Sequence, residues 1–354
     1  MKSARTFISH SITLLFIIFG FCYSAVAQST DQKPDKESTF QVSFVPGLST
    51  SDSYSTSRIS FNIIGGYNGA FHGIELGSVF NGNRYDISGL QMSGAVNYNG
   101  QQARGLLLSG ALNISDTFTG GISLAGAANI VGKHTRGLLM AGGLNVAGEI
   151  KGVAFAPINV ANNQMGTQFG VINTANRQEG TQIGIINIVG ENDGGTPIGL
   201  LSFVRNGRFD VDIWGSETGF VNGGMRIGTK EVYNVLSIGY NPFYGDDLWQ
   251  VGLGLGYHYS FNQKGKGLET DIMNYHLNYD GKWTSETSNH IQWRMHYVHA
   301  YTRNVRLFIG PSVNLLITDE ELSTQHLPYT IYKHSSGSNE LRWWIGGTLG
   351  VELF

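Results

Sequence analysis

Gly105-Leu-Leu-Leu-Ser-Gly-Ala-Leu-Asn113 is one copy of a motif, Gly-x-x-x-(Ser/Ala/Gly)-x-x-(x)-Asn, that recurs between residues 73 and 202. The following copies are 121–129 and 137–145, and shorter copies continue to residue 187. The repeat asparagines stand at positions 81, 97, 113, 129, 145, 159, 173 and 187, so their spacing is sixteen residues four times and then fourteen three times. Such a period indicates one structural unit that is used many times.

Within each sixteen-residue unit, apolar residues alternate with small or polar ones. In the quoted unit the two sets are Leu106, Leu108, Leu112 and Ile114 against Ser109, Ala111, Asn113 and Ser115. A period of two residues is typical of β-strands, so each unit is predicted to have one apolar face and one small, polar face. The fourteen-residue units break this phase by one residue before their asparagine, which predicts a bulge or a changed turn there.

The N-terminus predicts export. Lys2 and Arg5 precede an apolar run from residue 12 to 21, and Ala25-Val26-Ala27 provides small residues for cleavage, so residues 1–27 form a predicted signal peptide. An uncleaved membrane anchor is disfavoured because the run is shorter than the roughly 20 residues of a spanning helix. The single cysteine, Cys22, lies in this segment. The predicted mature chain therefore has no disulfide, catalytic thiol or cysteine metal site.

Composition favours an all-β protein. The chain has 49 glycines, 12% aromatic residues and only 14% charged residues, whereas about a quarter of the residues in a typical globular protein are charged. Removal of Lys2 and Arg5 with the signal peptide changes the formal charge from -3 to -5. This charge gives no reason to expect a nucleic-acid partner or an anionic-lipid partner.

The rest of the chain is predicted to be a flexible leader, residues 28–38, and a single β domain, residues 39–354. Within that domain, 39–72 form the first strands, 73–207 the short-period repeats and 208–354 longer aromatic strands. The clearest long alternations lie at 249–261, 291–301 and 341–353, with turn-rich segments between them.

Two architectures fit this pattern. One is a many-stranded antiparallel outer-membrane-type β-barrel, in which strands of about ten residues face lipid with one side. The alternative is a β-solenoid repeat region, with the asparagines stacked as a ladder, joined to an antiparallel β-barrel or sheet. The equivalence of the units favours the solenoid. Charge placement favours the barrel, because a soluble solenoid is expected to carry charges on its outward strand faces. Between 97 and 195, however, all charged residues lie in the spacers: Arg104, Asp116, Lys133, Arg136, Glu149, Lys151, Arg177, Glu179, Glu191 and Asp193.

The units 166–173 and 180–187, together with the segments Phe40-Gln-Val-Ser-Phe-Val-Pro46 and 197–207, resemble a family of bacterial surface-repeat proteins from Gram-negative genomes. The resemblance implies an outer-membrane or cell-surface location, and the family has no defined activity. The terminal Phe354 resembles the aromatic end of the signal that the barrel-assembly machinery recognises. Glu352 departs from that signal, because an apolar residue is expected at its position. The expected partners are therefore outer-membrane lipid and the assembly machinery.

The candidate site residues are polar side chains predicted to line a lumen: Gln91, Asn97, Asn113, Asn129, Asn145, Asp210 and Asp212. The alternative for the asparagines is that they satisfy strand ends and turns. His296 and His299 are three residues apart on a strand and so point to opposite faces, which disfavours a metal site. We predict no catalytic residue, cofactor or metal. The predicted function is a non-enzymatic outer-membrane barrel, either a passive pore or a structural surface protein; the alternative is a secreted or surface-attached solenoid for binding or adhesion.

Overall fold

The computed structural model describes residues 36–52, 54–243, 248–261, 266–278, 283, 288–302, 304–319, 329–336 and 339–353. The predicted signal peptide, residues 28–35 of the leader and Phe354 lie outside these ranges. The described residues form strands and turns, and none of them belongs to a helix that is long and apolar enough to cross a membrane. The chain forms two compact units. The first holds the described residues up to Ile188 and Asp193–Gly195, and the second holds Val189–Asn192 and the residues from Thr196 onward.

Most strands before residue 193 are short: β1 (Glu37–Val45), β2 (Leu48–Ser49), β3 (Thr56–Asn62), β4 (Gly65–Asn68), β5 (Ala70–Gly77), β6 (Phe80–Asn83), β7 (Ile87–Ser93), β8 (Val96–Ser109), β9 (Leu112–Ala125), β10 (Ala128–Thr135), β11 (Leu138–Ala141), β12 (Leu144–Ile150), β13 (Val153–Phe155), β14 (Ile158–Gln164), β15 (Thr167–Gln178) and β16 (Thr181–Asn192). The later strands are β17 (Thr196–Val204), β18 (Arg208–Ser216), β19 (Val221–Gly228), β20 (Val232–Asn241), β21 (Leu248–Ser260), β22 (Lys266–Asn278), β23 (Ser288–Thr302), β24 (Val305–Asp319), β25 (Tyr332–Ser336) and β26 (Asn339–Leu353).

Successive repeat units pair in parallel, with equivalent residues opposite each other. Asn113 lies opposite both Asn97 and Asn129, which belong to the preceding and the following unit. Each repeat contributes two strand segments, and each segment pairs in parallel with the equivalent segments of the neighbouring repeats. The first compact unit of the chain, which contains the repeats, is therefore a β-solenoid, as the alternative prediction stated. The predicted many-stranded antiparallel barrel is wrong for the repeats. The period-two pattern could not separate the two folds, because a strand alternates its faces whether its neighbours run parallel or antiparallel to it.

The two turns of each solenoid coil differ in chemistry. One row of connections between strand segments, here called the charged edge, comprises residues 100–104, 116–120, 132–136, 148–152, 162–166 and 176–180; β8 and β9 pass through it as continuous strands with shifts of register. Salt bridges there join Lys133 Nζ to Asp116 Oδ2 at 2.9 Å and Lys151 Nζ to Glu149 Oε1 at 2.6 Å. The opposite row, the uncharged edge, comprises residues 93–95, 109–111, 125–127, 141–143 and 156–157, which are glycine, alanine, serine and proline.

Most outward side chains of the coils are apolar on both strand segments, with threonines such as Thr167 and Thr174 at equivalent positions of the later coils. The apolar ones include Leu106, Leu108, Ile122, Leu124, Leu138 and Met140 on the first segment and Leu112, Ile114, Ile130, Leu144 and Val146 on the second. The prediction of a barrel from charge placement was wrong for the repeats, because outward strand faces of a solenoid need not carry charge. In this solenoid the charged residues lie at one edge.

The change from sixteen to fourteen residues removes one residue at each edge. Ala128 pairs with Leu144, an offset of sixteen; Leu138 pairs with Val153, an offset of fifteen; and Leu144 pairs with Ile158, an offset of fourteen. The first residue is lost at the charged edge and the second at the uncharged edge, where Ala156-Pro157 replaces three residues. The strand segments between the turns keep their inward and outward faces. The predicted change of turn is thus confirmed.

The second unit contains an antiparallel sheet in which consecutive strands pair from β18 to β24. Strand β26 pairs with β24 on one side and with β18 on the other, so eight strands close the sheet on itself, and β25 pairs with the remaining length of β26. The three predicted alternations fall on β21, β23 and β26. Along β23, polar residues such as His290, Gln292 and Arg294 are buried, whereas Ile291 and Trp293 are exposed. The closed sheet therefore has an apolar exterior and an interior in which polar and charged residues lie among buried aromatic and apolar ones such as Tyr275 and Trp344.

Candidate functional site

The repeat asparagines form a continuous hydrogen-bonded ladder inside the solenoid. The Nδ2 atom of each donates to Oδ1 of the next: Asn97 to Asn113 at 2.9 Å, Asn113 to Asn129 at 3.2 Å, and Asn129 to Asn145 at 2.9 Å. The ladder continues across the change of period, since Asn145 donates to Asn159 at 2.9 Å. All of these side chains are buried.

The same amide groups also bind the backbone at the uncharged edge. Asn97 Nδ2 donates to the carbonyl oxygen of Leu108 at 2.8 Å, and Asn113 Nδ2 donates in the same way to Leu124 at 2.8 Å. Both carbonyl groups lie directly before a turn of the uncharged edge. The asparagines thus connect neighbouring coils to each other and to the turns, which is the chemistry expected of buried amides.

Gln91 belongs to a second polar group, which surrounds the buried carboxylate of Glu75 in an early coil. Gln91 Nε2 donates to Glu75 Oε2 at 2.8 Å, and Asn83 Nδ2 donates to the same oxygen at 2.7 Å. Glu75 Oε1 accepts from Asn68 at 2.6 Å and from Asn62 at 3.2 Å. Burial raises the pKa of Glu75, and this effect exceeds that of the four amide hydrogen bonds, which lower it.

Asp210 and Asp212 lie together on the inward face of β18, inside the closed sheet. Asp212 pairs with Arg226 of the adjacent strand β19, and Asp210 pairs with Arg208 and with Arg306, whose Nη2 atom is 2.9 Å from Asp210 Oδ2. These residues belong to a larger group, here called the charge cluster: Arg208, Asp210, Asp212, Arg226, Glu269, Asp271, Arg294, Arg306 and Glu352.

Every carboxylate of the charge cluster has an arginine partner. Arg208 Nη2 is 2.7 Å from both Glu269 Oε1 and Glu352 Oε2, and Arg294 Nη2 is 2.5 Å from Asp271 Oδ2. Buried charges are stable only when they are paired. The pairs of the cluster join strands that are distant in sequence, such as β18 and β26 through Arg208 and Glu352.

An aromatic ring completes the cluster. The guanidinium of Arg208 lies 4.4 Å from the centroid of the Tyr233 ring, and Tyr233 Oη donates to Asp271 Oδ1 at 2.7 Å. Arg226, Arg294, Glu269 and Glu352 have 0% of their surface exposed to solvent. The arrangement can hold the closed sheet together and fill its interior.

The sequence-based list of site residues contains the two aspartates of the charge cluster and none of its arginines. The sequence contains a sign of the cluster at Leu268-Glu-Thr-Asp-Ile272. Glu269 and Asp271 are two charged residues on the same face of an alternating strand. In the sequence, Glu352 stands out only as a departure from the expected terminal signal. In the structure it faces inward and pairs with Arg208 and Arg306.

The histidine pair does not form a metal site. His296 is buried, where its Nε2 atom contacts Thr348 Oγ1 at 2.5 Å, while His299 is exposed on the other face of β23. Within the described ranges, no group of three or more histidine, cysteine or acidic residues is arranged to hold a metal ion.

Comparison with known proteins gives no match: no protein-family model, no curated protein and no solved structure is similar to this chain.

Proposed function

We propose that this protein is a non-enzymatic surface protein of an outer membrane, anchored by the closed sheet, with the solenoid as the part that makes further contacts. The observation that carries the proposal is the inverted polarity of the closed sheet. Its charged residues are buried, while Ile213, Ile272 and Leu349 are more than half exposed on its outer face. A membrane-spanning barrel has this distribution, with apolar side chains toward lipid and polar ones inside.

The positions of the aromatic residues support the same proposal. Trp249 lies near the start of β21, and Tyr257 and Tyr259 lie near its end; all three point outward, like Tyr301 at the end of β23. Aromatic side chains are enriched at the two interfaces between a bilayer and water. The predicted signal peptide and the resemblance to bacterial surface-repeat proteins agree with export to this location.

The filled interior favours an anchor over a passive pore. An eight-stranded barrel is just wide enough for its side chains to fill it, and Arg226, Glu269 and Arg294 are fully buried there. We therefore expect no steady ion current when the folded protein is added to a planar bilayer. A stable conductance would instead support the pore.

The anchor is tested by placing an arginine at two depths of the outer face. Ile272 is 60% exposed within β22. Ile272→Arg should destabilise the protein folded in phosphatidylcholine vesicles, with a loss of about 2–4 kcal/mol in the free energy of unfolding. His299→Arg is the matched control, because His299 points outward opposite the strand end at Lys266 and should cost only about 0–1 kcal/mol. Equal, negligible effects of the two substitutions would refute the membrane anchor.

A further inference from the structure

The solenoid has an unusual distribution of polarity for a water-exposed repeat protein. Its interior holds an apolar core, which includes Leu107 and Phe118, beside the asparagine ladder and the Glu75 group, and most outward residues of both strand segments are apolar as well. Ile122 and Met140 are 41% and 37% exposed although coils cover them on two sides. An apolar face on one side of a solenoid would suit a protein partner. Here outward apolar residues occur on both strand segments, most exposed on the segment of Ile122 and Met140, and small uncharged residues follow at the uncharged edge.

A groove runs along the uncharged edge and has the same character. It has a volume of about 1020 Å³ and crosses successive coils. Each coil contributes one large apolar side chain to its wall and small residues to its base; the wall residues are Leu76, Met92, Leu108, Leu124, Met140 and Phe155. The lining residues carry no charge.

Backbone groups at the uncharged edge are paired within the solenoid. Ala111 N donates to the carbonyl oxygen of Ala95 at 2.9 Å, and Ala127 N donates to that of Ala111 at 2.9 Å. The carbonyls of Leu108 and Leu124, just before two of these turns, accept from the asparagine ladder. In hydrocarbon, backbone polar groups must find partners within the protein. The N–H groups of Ala111 and Ala127 and the carbonyls of Leu108 and Leu124 meet that requirement, whereas the buried hydroxyl groups of Ser93 and Ser109 at the same edge have no partner in the described structure.

We propose that the solenoid lies in one leaflet of a lipid bilayer, with its uncharged edge and both strand faces in the hydrocarbon and its charged edge at the membrane surface. This inference rests on the proposed membrane location and deepens it by naming lipid as the partner of the solenoid. The ion pairs of the charged edge, such as Lys133 with Asp116, remain in water or among headgroups.

The dimensions of a coil fit this position. The strand segment Gly105–Ser109 has five residues, and at about 3.3 Å per residue it spans about 16 Å. That length is close to half of the roughly 30 Å hydrocarbon core of a bilayer. The uncharged edge would then lie near the bilayer midplane, and the acyl chains of the leaflet would fill the groove.

The test uses spin labels in the full chain with Cys22→Ser, folded into vesicles of phosphatidylethanolamine and phosphatidylglycerol. Single cysteines replace Ala127 at the uncharged edge, Met140 on a strand face and Lys133 at the charged edge. Collision of each label with oxygen, which concentrates in hydrocarbon, is compared with collision with a water-soluble nickel complex. We expect a higher ratio of oxygen to nickel collisions at residues 127 and 140 than at residue 133.

A fourth label, at Ile213→Cys on the outer face of the closed sheet, separates this inference from the proposed anchor. Nickel-accessible labels at 127 and 140 together with a hydrocarbon label at 213 would overturn the inference and leave the anchor intact. Hydrocarbon labels at 127 and 140 with an aqueous label at 213 would do the opposite. Labels at 127 and 140 that are shielded from both reagents would also overturn it, because protein would then cover the surface. Circular dichroism matching the unlabelled protein controls for folding.

Discussion

Asn97 and Asn113 are sixteen residues apart in the chain, yet the Nδ2 atom of Asn97 lies 2.9 Å from the Oδ1 atom of Asn113. The same contact recurs at each junction of the ladder from Asn81 to Asn187, at distances of 2.9–3.2 Å. Each asparagine acts as acceptor for one neighbouring coil and as donor to the other. The ladder therefore fixes the register between neighbouring coils, although it does not distinguish one coil from another.

Interruption of the ladder should destabilise the solenoid. Asn113→Ala removes the acceptor of Asn97 and the donor to the Leu124 carbonyl. A buried polar group without a partner costs about 1–3 kcal/mol, so we expect a loss of about 2–4 kcal/mol in the free energy of unfolding by urea. Asn176 is exposed at the charged edge and makes only a 3.4 Å contact with Asn162. Asn176→Ala should therefore change stability by less than about 0.5 kcal/mol; similar losses in the two variants would contradict a structural role for the ladder.

Substitution by alanine should affect stability differently at two neighbouring glycines, Gly120 and Gly121. Gly121 has a φ of +107°, and a Cβ atom there would lie 2.0 Å from the carbonyl oxygen of Gly105 in the preceding coil. Gly121→Ala should cost at least about 1–3 kcal/mol from the backbone conformation alone. At Gly120 a Cβ atom meets nothing within 4 Å, so Gly120→Ala should be neutral or slightly stabilising. Thermal unfolding of the two variants measures the difference, and equal melting temperatures would argue against close contact between these coils.

Glu75 should make the stability of the solenoid depend on pH. Its pKa in the folded protein is raised above the ordinary value of 4.5, so the folded state holds the proton more tightly than the unfolded state. Stability is then highest below about pH 4.5 and falls as pH rises from there through the folded pKa. Glu75→Gln places an amide beside Gln91 and removes this contribution.

We expect urea unfolding of Glu75→Gln in detergent micelles to show a smaller loss of stability between pH 4 and pH 8 than the wild type. Asp52→Asn is a control at an exposed acidic residue near the first strands. An identical pH dependence in wild type and Glu75→Gln would contradict the raised pKa.

The charge cluster should tolerate loss of a cation poorly. Arg226→Met leaves the buried carboxylates of Asp212 and Glu269 without one of their partners. Removal of one member of a buried ion pair typically costs about 3–5 kcal/mol. Arg58→Met is the matched control, because Arg58 is exposed and 3.8 Å from Glu37; it should cost no more than about 1 kcal/mol. Unfolding of both variants in micelles makes the comparison, and a cost at Arg226 as small as that at Arg58 would mean that the cluster does not hold the closed sheet together.

Local pattern in the sequence predicted three strands of the second unit, β21, β23 and β26, together with their two faces. Trp293 and Met295 alternate with Gln292 and Arg294 along β23, and the structure exposes the first pair and buries the second. Such alternation depends only on the geometry of one strand, so it can be predicted without knowledge of the neighbours. The partner of each strand is not encoded locally. The pairing of Asp212 with Arg226 and of Glu352 with Arg208 could not be predicted for that reason.

In the repeats, the local pattern likewise did not show which strands pair, so it could not distinguish a solenoid from a barrel. The motif predicted strands around Leu106 and Leu112, and it predicted a changed turn before Asn159. Parallel stacking of Asn97 on Asn113 followed from the equivalence of the units, but the absence of charge from the outward faces favoured a barrel instead. That prediction assumed that a solenoid carries charges on its outward strand faces, whereas this solenoid carries Lys133 and Glu149 at one edge.

The loss of one residue at each edge between the coils of Asn145 and Asn159 bears on how such a chain can vary in length. The ladder is unbroken there, so the hydrogen bonds between coils do not depend on the length of each turn. Each coil of the ladder presents its asparagine amide as an acceptor on one side and as a donor on the other. A coil could therefore be duplicated or deleted as a whole, and the flanking asparagines would meet each other across the new junction. The length of the solenoid is thus a property that gene duplication can change in single steps, without redesign of any contact.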